Sequence, residues 1–262
     1  MTTTDATTTL DGAAADAPTK RRGRLRWWRE LLYIAAFYAV YSYIRNQFGS
    51  ASVTLAEALG NAEQVIDIER AVGLYHEETL QQWFLGQRWF IQSWNLFYGT
   101  FHFVVTGFAL IWTFRRFPQR YRLWRNTLAI TTALALIGFA TYPLLPPRLL
   151  PASYGFVDTL ADYGGLWSFD SGAMKAVSNQ YAAMPSLHFG WSLWCALVLV
   201  PQVRRRWVRA LLFAYPVATL FAIMVTANHY WIDAAAGAAL LGVGYLLARP
   251  LTAWLVGRLG AG

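Results

Sequence analysis

VRALLFAYPVATLFAIMVTANHYWIDAAAGAALLGVGYLLA, residues 208–248, decides how the rest of the chain is read. It holds two apolar runs, Val208–Ala227 and Tyr230–Ala248, parted by Asn228 and His229. A hydrocarbon core about 30 Å thick is crossed by about 20 apolar helical residues. Each run has that length, so the stretch reads as two membrane helices turned back on each other through a short polar link. Four further runs share the character: Leu31–Phe48, Phe90–Phe114, Thr127–Leu145 and Leu187–Val200, the last of them short. Composition agrees, with 56% hydrophobic and 14% charged residues, where a soluble domain carries roughly a quarter charged. The 13 Trp, 14 Tyr and 16 Phe suit the interfacial belts of membrane proteins. The expected fold is all-α, an integral-membrane bundle of six helices. The single cysteine, Cys195, excludes an intramolecular disulfide and a cysteine-cluster metal site.

The basic residues orient the bundle. They cluster at Lys20–Arg29, at Arg115–Arg125, at Arg204–Arg209 and at Arg249 and Arg258. In a six-span chain all four clusters fall on one side, which the positive-inside rule makes cytoplasmic. The net charge of +8 therefore reflects topology, and no nucleic-acid partner is expected. Residues 1–26 read as a disordered basic cytoplasmic tail, 27–250 as a six-span catalytic membrane domain, and 251–262 as a second cytoplasmic tail. Outer loops are expected at 49–88 and 146–186. The basic tail followed by an apolar run looks like a signal peptide, but the run is long and no small-residue cleavage site precedes Ile44-Arg45-Asn46-Gln47, so retention is expected. Within the first outer loop, Val65, Ile68, Val72, Leu80, Trp83 and Phe84 recur at helical spacing among charged residues. This predicts one or two short amphipathic helices on the outer face, capping the bundle.

Chemistry concentrates at the outer ends of the spans. Pro185-Ser186-Leu187-His188 opens the fourth, and Asn228-His229-Tyr-Trp-Ile-Asp233 links the fifth and sixth. His229 and Asp233 are spaced i, i+4 and so share a helix face. A carboxylate there fixes the imidazole tautomer and frees the other nitrogen to attack or to accept a proton. Pro185 suits a first helical position, and the amides from Ser186 to His188 then form an anion site. His188 is placed to protonate a leaving alkoxide.

These blocks resemble the type 2 phosphatidic acid phosphatase superfamily, over about Leu31 to Ala248. Pro185-Ser186-Leu187-His188 is similar to its Pro-Ser-Gly-His block, and His229-Tyr-Trp-Ile-Asp233 to its His-x-x-x-Asp block. The resemblance implies metal-independent phosphoryl transfer without a cofactor: His229 as nucleophile, Asp233 orienting it, His188 as acid and base. The family's phosphatases usually carry Lys-x6-Arg-Pro; here Thr141-Tyr142-Pro143-Leu144-Leu145-Pro146-Pro147-Arg148 keeps an arginine and lacks the lysine. Their Ser-Arg before the second histidine is replaced by Ala222 and Ile223. The local texture is instead similar to the inositol phosphorylceramide synthase and sphingomyelin synthase branch. That branch implies transfer of a phospho-headgroup such as phosphoinositol from a membrane phospholipid donor to a lipid or glycolipid acceptor. A diester carries one negative charge where a monoester carries nearly two, so fewer cations suit it.

Further substrate contacts are expected from Arg148, Ser186, Tyr142, His102, Asn228 and Lys175, with Asn179 as a weaker candidate. Arg148 also reads as an interfacial anchor, and His102 as a buried hydrogen-bonded residue. Three other functions share parts of this pattern. A phosphatase of phosphatidate or isoprenyl phosphate differs only in how well the site excludes water. A transporter is expected to show ionisable residues deep in several spans and repeated halves; here only His102 lies deep. A metalloenzyme built on the two histidines and Asp233 lacks a third histidine on the same face, and no metal site is expected. The protein is expected in the cell membrane, with both termini cytoplasmic and the site on the extracytoplasmic face.

Overall fold

The computed structural model describes residues 25–48, 53–164 and 181–259. Among them the chain forms helices α1 (Trp27–Phe48), α2 (Leu55–Ala71), α3 (Glu77–Leu85), α4 (Arg88–Arg116), α5 (Pro118–Thr141), α6 (Thr159–Asp162), α7 (Leu187–Leu199), α8 (Arg206–Val225) and α9 (Trp231–Leu259). No strand forms among the described residues, and the one β contact is an isolated bridge between Leu144 and Ala182.

Helices α4, α5, α8 and α9 are long and apolar enough to cross a membrane, and α7 with its following turn is a shorter apolar helix. A membrane helical bundle follows from these. Helix ends follow local chemistry. Pro118 starts α5, where its missing N–H costs nothing. Pro143 stops it at Thr141, four residues before the expected end, because the residue before a proline avoids helical geometry. α9 runs on through Pro250 to Leu259, into the segment expected as a tail. Outward faces remain apolar: Phe103, Val104, Phe108 and Ile111 on α4, Leu211 and Val217 on α8, and Leu246 on α9 are exposed. In lipid this is the stable arrangement, since backbone polar groups are satisfied within each helix.

α5 and α9 make the most extensive helix pair. Gly244 permits it, because a Cβ there would collide with the Thr131 hydroxyl. α7 lies against α4, α8 and α9. It is short because its start is sunk into the bundle. Ser186, its N-cap, sits against Gly237, which is six residues, or about 9 Å, along α9. The strand-like approach to it is satisfied by the Leu144 N–H, which donates to the Tyr181 carbonyl at 2.8 Å.

The short helices expected within 61–86 are present as α2 and α3, but their buried face differs from the apolar one. Val65 is buried, whereas Ile68, Val72 and Trp83 are exposed, and Glu69, Glu77 and Gln81 are fully buried in their place. Ala58, Ala62, Val65 and Ile66 of α2 pack on Leu144, Leu145 and Tyr230. Asn61 Nδ2 donates to the Pro143 carbonyl at 2.8 Å, and Tyr230 Oη to the Leu145 carbonyl at 3.1 Å. These helices therefore cover the end of the bundle where α5 stops and α9 starts.

Candidate active site

α8 closes in a Schellman turn. The Ala227 N–H donates to the Met224 carbonyl and the Asn228 N–H to the Ile223 carbonyl, both at 2.9 Å. Ala227 takes the left-handed position at φ 53° that glycine usually fills, at a cost of about 1 kcal/mol. The turn reverses the chain within Ala227–Tyr230 and delivers His229 to the head of α9. There the His229 Nδ1–H donates to Asp233 Oδ2 at 3.2 Å. The same oxygen accepts the Tyr230 N–H at 2.9 Å. A carboxylate can only accept, so Nδ1 carries the proton and Nε2 keeps its lone pair. Asp233 is fully buried and His229 nearly so.

His188 arrives from α7, with its ring centre 5.8 Å from that of His229. Two glycines make this possible. At Gly237 a Cβ would overlap the Ser186 carbonyl, and at Gly190 a Cβ would come within 3.2 Å of the Gly237 carbonyl. The close crossing lets the Ser186 N–H donate to the Asp233 carbonyl at 2.9 Å. The residue that orients His229 is thereby tied to the turn that presents His188. Pro185 lies before the N-cap rather than at the first helical position, and the fourth run gains no helical extension upstream.

Tyr98 stacks on His188 with ring centres 4.1 Å apart. His102 lies 4.3 Å from His188 between centres, and its Nδ1–H donates to the Tyr98 carbonyl at 2.9 Å. Its Nε2 is therefore left as the acceptor nitrogen. Arg148 is clamped beside the histidines. Its N–H donates to the Ala227 carbonyl at 2.8 Å, Nε to Asn228 Oδ1 at 3.1 Å, and Nη1 to Asp158 Oδ2 at 2.6 Å. Asn228 in turn donates to the Thr226 hydroxyl at 2.7 Å.

The structure thus gathers His188, His229, Asp233, His102, Arg148 and Asn228 at one place. Ser186 is adjacent, but its Oγ is engaged as the helix cap, accepting the Phe189 N–H at 3.4 Å. Tyr142 donates to the Asn61 carbonyl at 3.3 Å; burial, then the charge of Asp233, raise its phenol above the ordinary value. Lys175 and Asn179 lie outside the described residues. Tyr98 and Asp158 were not singled out from sequence. The i, i+4 spacing of Tyr98 and His102 was a usable signal; nothing local marked Asp158.

Two imidazoles, one oriented by a carboxylate, beside a clamped guanidinium can hold and attack a phosphate ester without further groups. Among the described residues no cluster of three metal-ligating side chains occurs. No curated protein and no solved structure matches the chain. The sequence profile of the PAP2 superfamily matches residues 63–247, from α2 through most of α9 and across every residue of this site. Members of that superfamily are phosphatases or phosphotransferases acting on phosphate esters, and the chain belongs to it.

Proposed function

We propose that the protein is an integral-membrane lipid phosphotransferase that moves a phospho-headgroup, phosphoinositol being the leading case, from a phospholipid to a lipid or glycolipid hydroxyl. The observation that carries this reading is the arrangement of His229 and His188, 5.8 Å apart between ring centres with His229 held by Asp233. His229 Nε2 attacks phosphorus as the bond from phosphorus to the diacylglycerol oxygen breaks. Protonated His188 gives its proton to that leaving alkoxide. The headgroup stays on phosphorus through its one remaining ester bond, in a phosphohistidine. Neutral His188 then takes the proton of the acceptor hydroxyl, whose oxygen attacks phosphorus and releases His229. Protons and electrons balance over the cycle, and no cofactor enters.

Charge supports a diester over a monoester. Among the described residues the cation brought to the site is Arg148, and Asp158 already shares it. A dianionic monoester is poorly matched to that balance. The bundle is proposed to cross the membrane six times, with α1 and α7 as the first and fourth spans and the site opening outward. The test is incubation of the purified protein with phosphatidylinositol and an acceptor, either ceramide or a diacylglycerol of different acyl chains, followed by lipid mass spectrometry. A headgroup-bearing acceptor is the expected product. Release of inorganic phosphate from phosphatidate, with no headgroup exchange, would replace the transferase with a phosphatase.

A further inference from the structure

Two glutamates of the outer helices are sunk behind the first turn of α9. Glu69 on α2 and Glu77 on α3 are both fully buried. Glu69 Oε1 accepts the Ile232 N–H at 2.8 Å, and Glu77 Oε1 accepts the Trp231 N–H at 3.4 Å. With Asp233 on the Tyr230 N–H, three carboxyl groups take the amides that a helix start leaves without intrahelical acceptors. A helix start is ordinarily capped by Ser, Thr, Asp or Asn of its own chain. Here Tyr230 holds that position and has no such oxygen, so the cap comes from two other helices.

The two glutamates accept from adjacent amides of one helix turn, while Oε2 of each is buried with no N–H or O–H partner. Two ionised carboxylates side by side in a buried place repel each other and leave both Oε2 atoms without a donor, and a proton on one of them relieves both costs. We propose that Glu69 and Glu77 share a single proton and that this pair holds the first turn of α9, and with it the Asp233–His229 couple, in its working geometry. Both are positioning residues, and the proposal rests on the phosphotransfer reading above. The one remaining negative charge suits the positive end of α9. Full ionisation sets three carboxylates together in a buried space.

Burial, then the hydrogen bond and charge of Glu77, push Glu69 up to about 9; the charge of Asp233 adds to this, and the Ile232 N–H opposes it. The other titratable groups around the pair are Tyr230 ahead of α9 and Tyr75 between α2 and α3. Arg70 acts on Tyr75, and His229 is bonded to Asp233. In the unfolded chain Glu69 ionises near 4.5, and in the folded protein near 9. Between those values the folded state binds the extra proton, so this group's stabilising contribution declines as pH rises. Above about 9 Glu69 gives up its proton, and the cap is expected to part.

Glu69→Gln and Glu69→Ala separate the possibilities. The glutamine carbonyl can still accept the Ile232 N–H while its amide donates to Glu77, replacing the shared proton; alanine removes both. Full-length protein in detergent is assayed with a nitrophenyl phosphodiester and by thermal unfolding, from about pH 6 to about pH 10. E69Q is expected to keep kcat within about threefold, to extend activity to higher pH, and to flatten the fall of Tm. E69A is expected to lose about 10²-fold in kcat with KM much less changed. An E69Q variant with the parent's alkaline limb and Tm slope overturns the shared proton. An E69A variant with the parent's kcat overturns the positioning role. Should the parent turn over no phosphoester, the functional reading fails by itself. The pair then stands or falls on whether E69Q flattens the Tm profile.

Discussion

His229 and His188 are held by different things, and their roles divide accordingly. His229 has its Nδ1 fixed on Asp233, whereas His188 is packed against the rings of Tyr98 and His102. His229→Ala is expected to abolish both turnover and any covalent phospho-enzyme, because no nitrogen remains to bond phosphorus. His188→Ala removes acid–base assistance, typically about 10²–10⁴-fold, and leaves the nucleophile in place. A nitrophenyl donor, whose leaving group needs little protonation, is expected to restore the first step in His188→Ala and not in His229→Ala. Trapping of the phospho-enzyme measures this directly, and the opposite pattern of rescue assigns the roles the other way. Arg148 yields a second expectation at this scale. Its fork spans Asn228 and Asp158 at once, a geometry that a lysine's single amine cannot reproduce. Arg148→Lys is expected to fall about tenfold or more in kcat/KM, although charge is conserved. Steady-state kinetics at fixed ionic strength check it, and an unchanged value removes Arg148 from the site.

The helices meet where side chains are smallest. Gly237 and Gly190 set the crossing of α7 and α9, and their tolerance of a methyl group differs. At Gly237 the added carbon overlaps the Ser186 backbone, which has no soft end to move; at Gly190 it meets a carbonyl at 3.2 Å. Gly237→Ala is expected to cost about 1–3 kcal/mol as an overpacked contact, and to lower activity by shifting Ser186 away from Asp233. Gly190→Ala is expected to cost less. Gly242→Ala, where a Cβ meets nothing within 4 Å, is expected to be neutral or to stabilise by about 0.5–1 kcal/mol through helix propensity. Thermal unfolding of the three variants in detergent ranks them, and Gly237→Ala ranking with Gly242→Ala contradicts the crossing. The outer helices mark the limit of periodicity at this scale. Helical spacing at 61–86 announced α2 and α3, but the face turned inward was chosen by what lies beneath it. The bare amides of Trp231 and Ile232 draw Glu69 and Glu77 inside, and Ile68 and Trp83 are left outside. An unpaired backbone donor in a buried place costs more than an exposed apolar side chain.

The topology of the whole chain is open to a labelling test. Ala152 is exposed on the short turn after α5, and the native Cys195 is fully buried, so background reaction is expected to be low. Ala152→Cys is expected to react with an impermeant thiol reagent in intact cells; protection until lysis places the 146–186 loop inside. Activity is also expected to persist in EDTA, since a guanidinium, a nucleophilic imidazole and an acid–base imidazole suffice to hold and attack a phosphate. Loss on chelation that zinc or magnesium restores overturns that expectation. Hydropathy and local chemistry made the helical bundle legible, because an apolar run about 20 residues long has few other stable states in lipid. The i, i+4 spacing made the His229–Asp233 couple legible, because it depends on one helix only. The meeting of His188 with His229 depends on α7 starting inside the bundle, two turns down α9, and on glycines at the crossing. The neutralisation of Arg148 depends on Asp158, ten residues away in sequence and brought back by a fold of the loop. The capping of α9 depends on glutamates more than 150 residues before it. Sequence alone determined the elements and the chemistry each carries, since those are set by neighbours along the chain. Tertiary structure alone decided which buried polar groups satisfy one another, since that is set by neighbours in space.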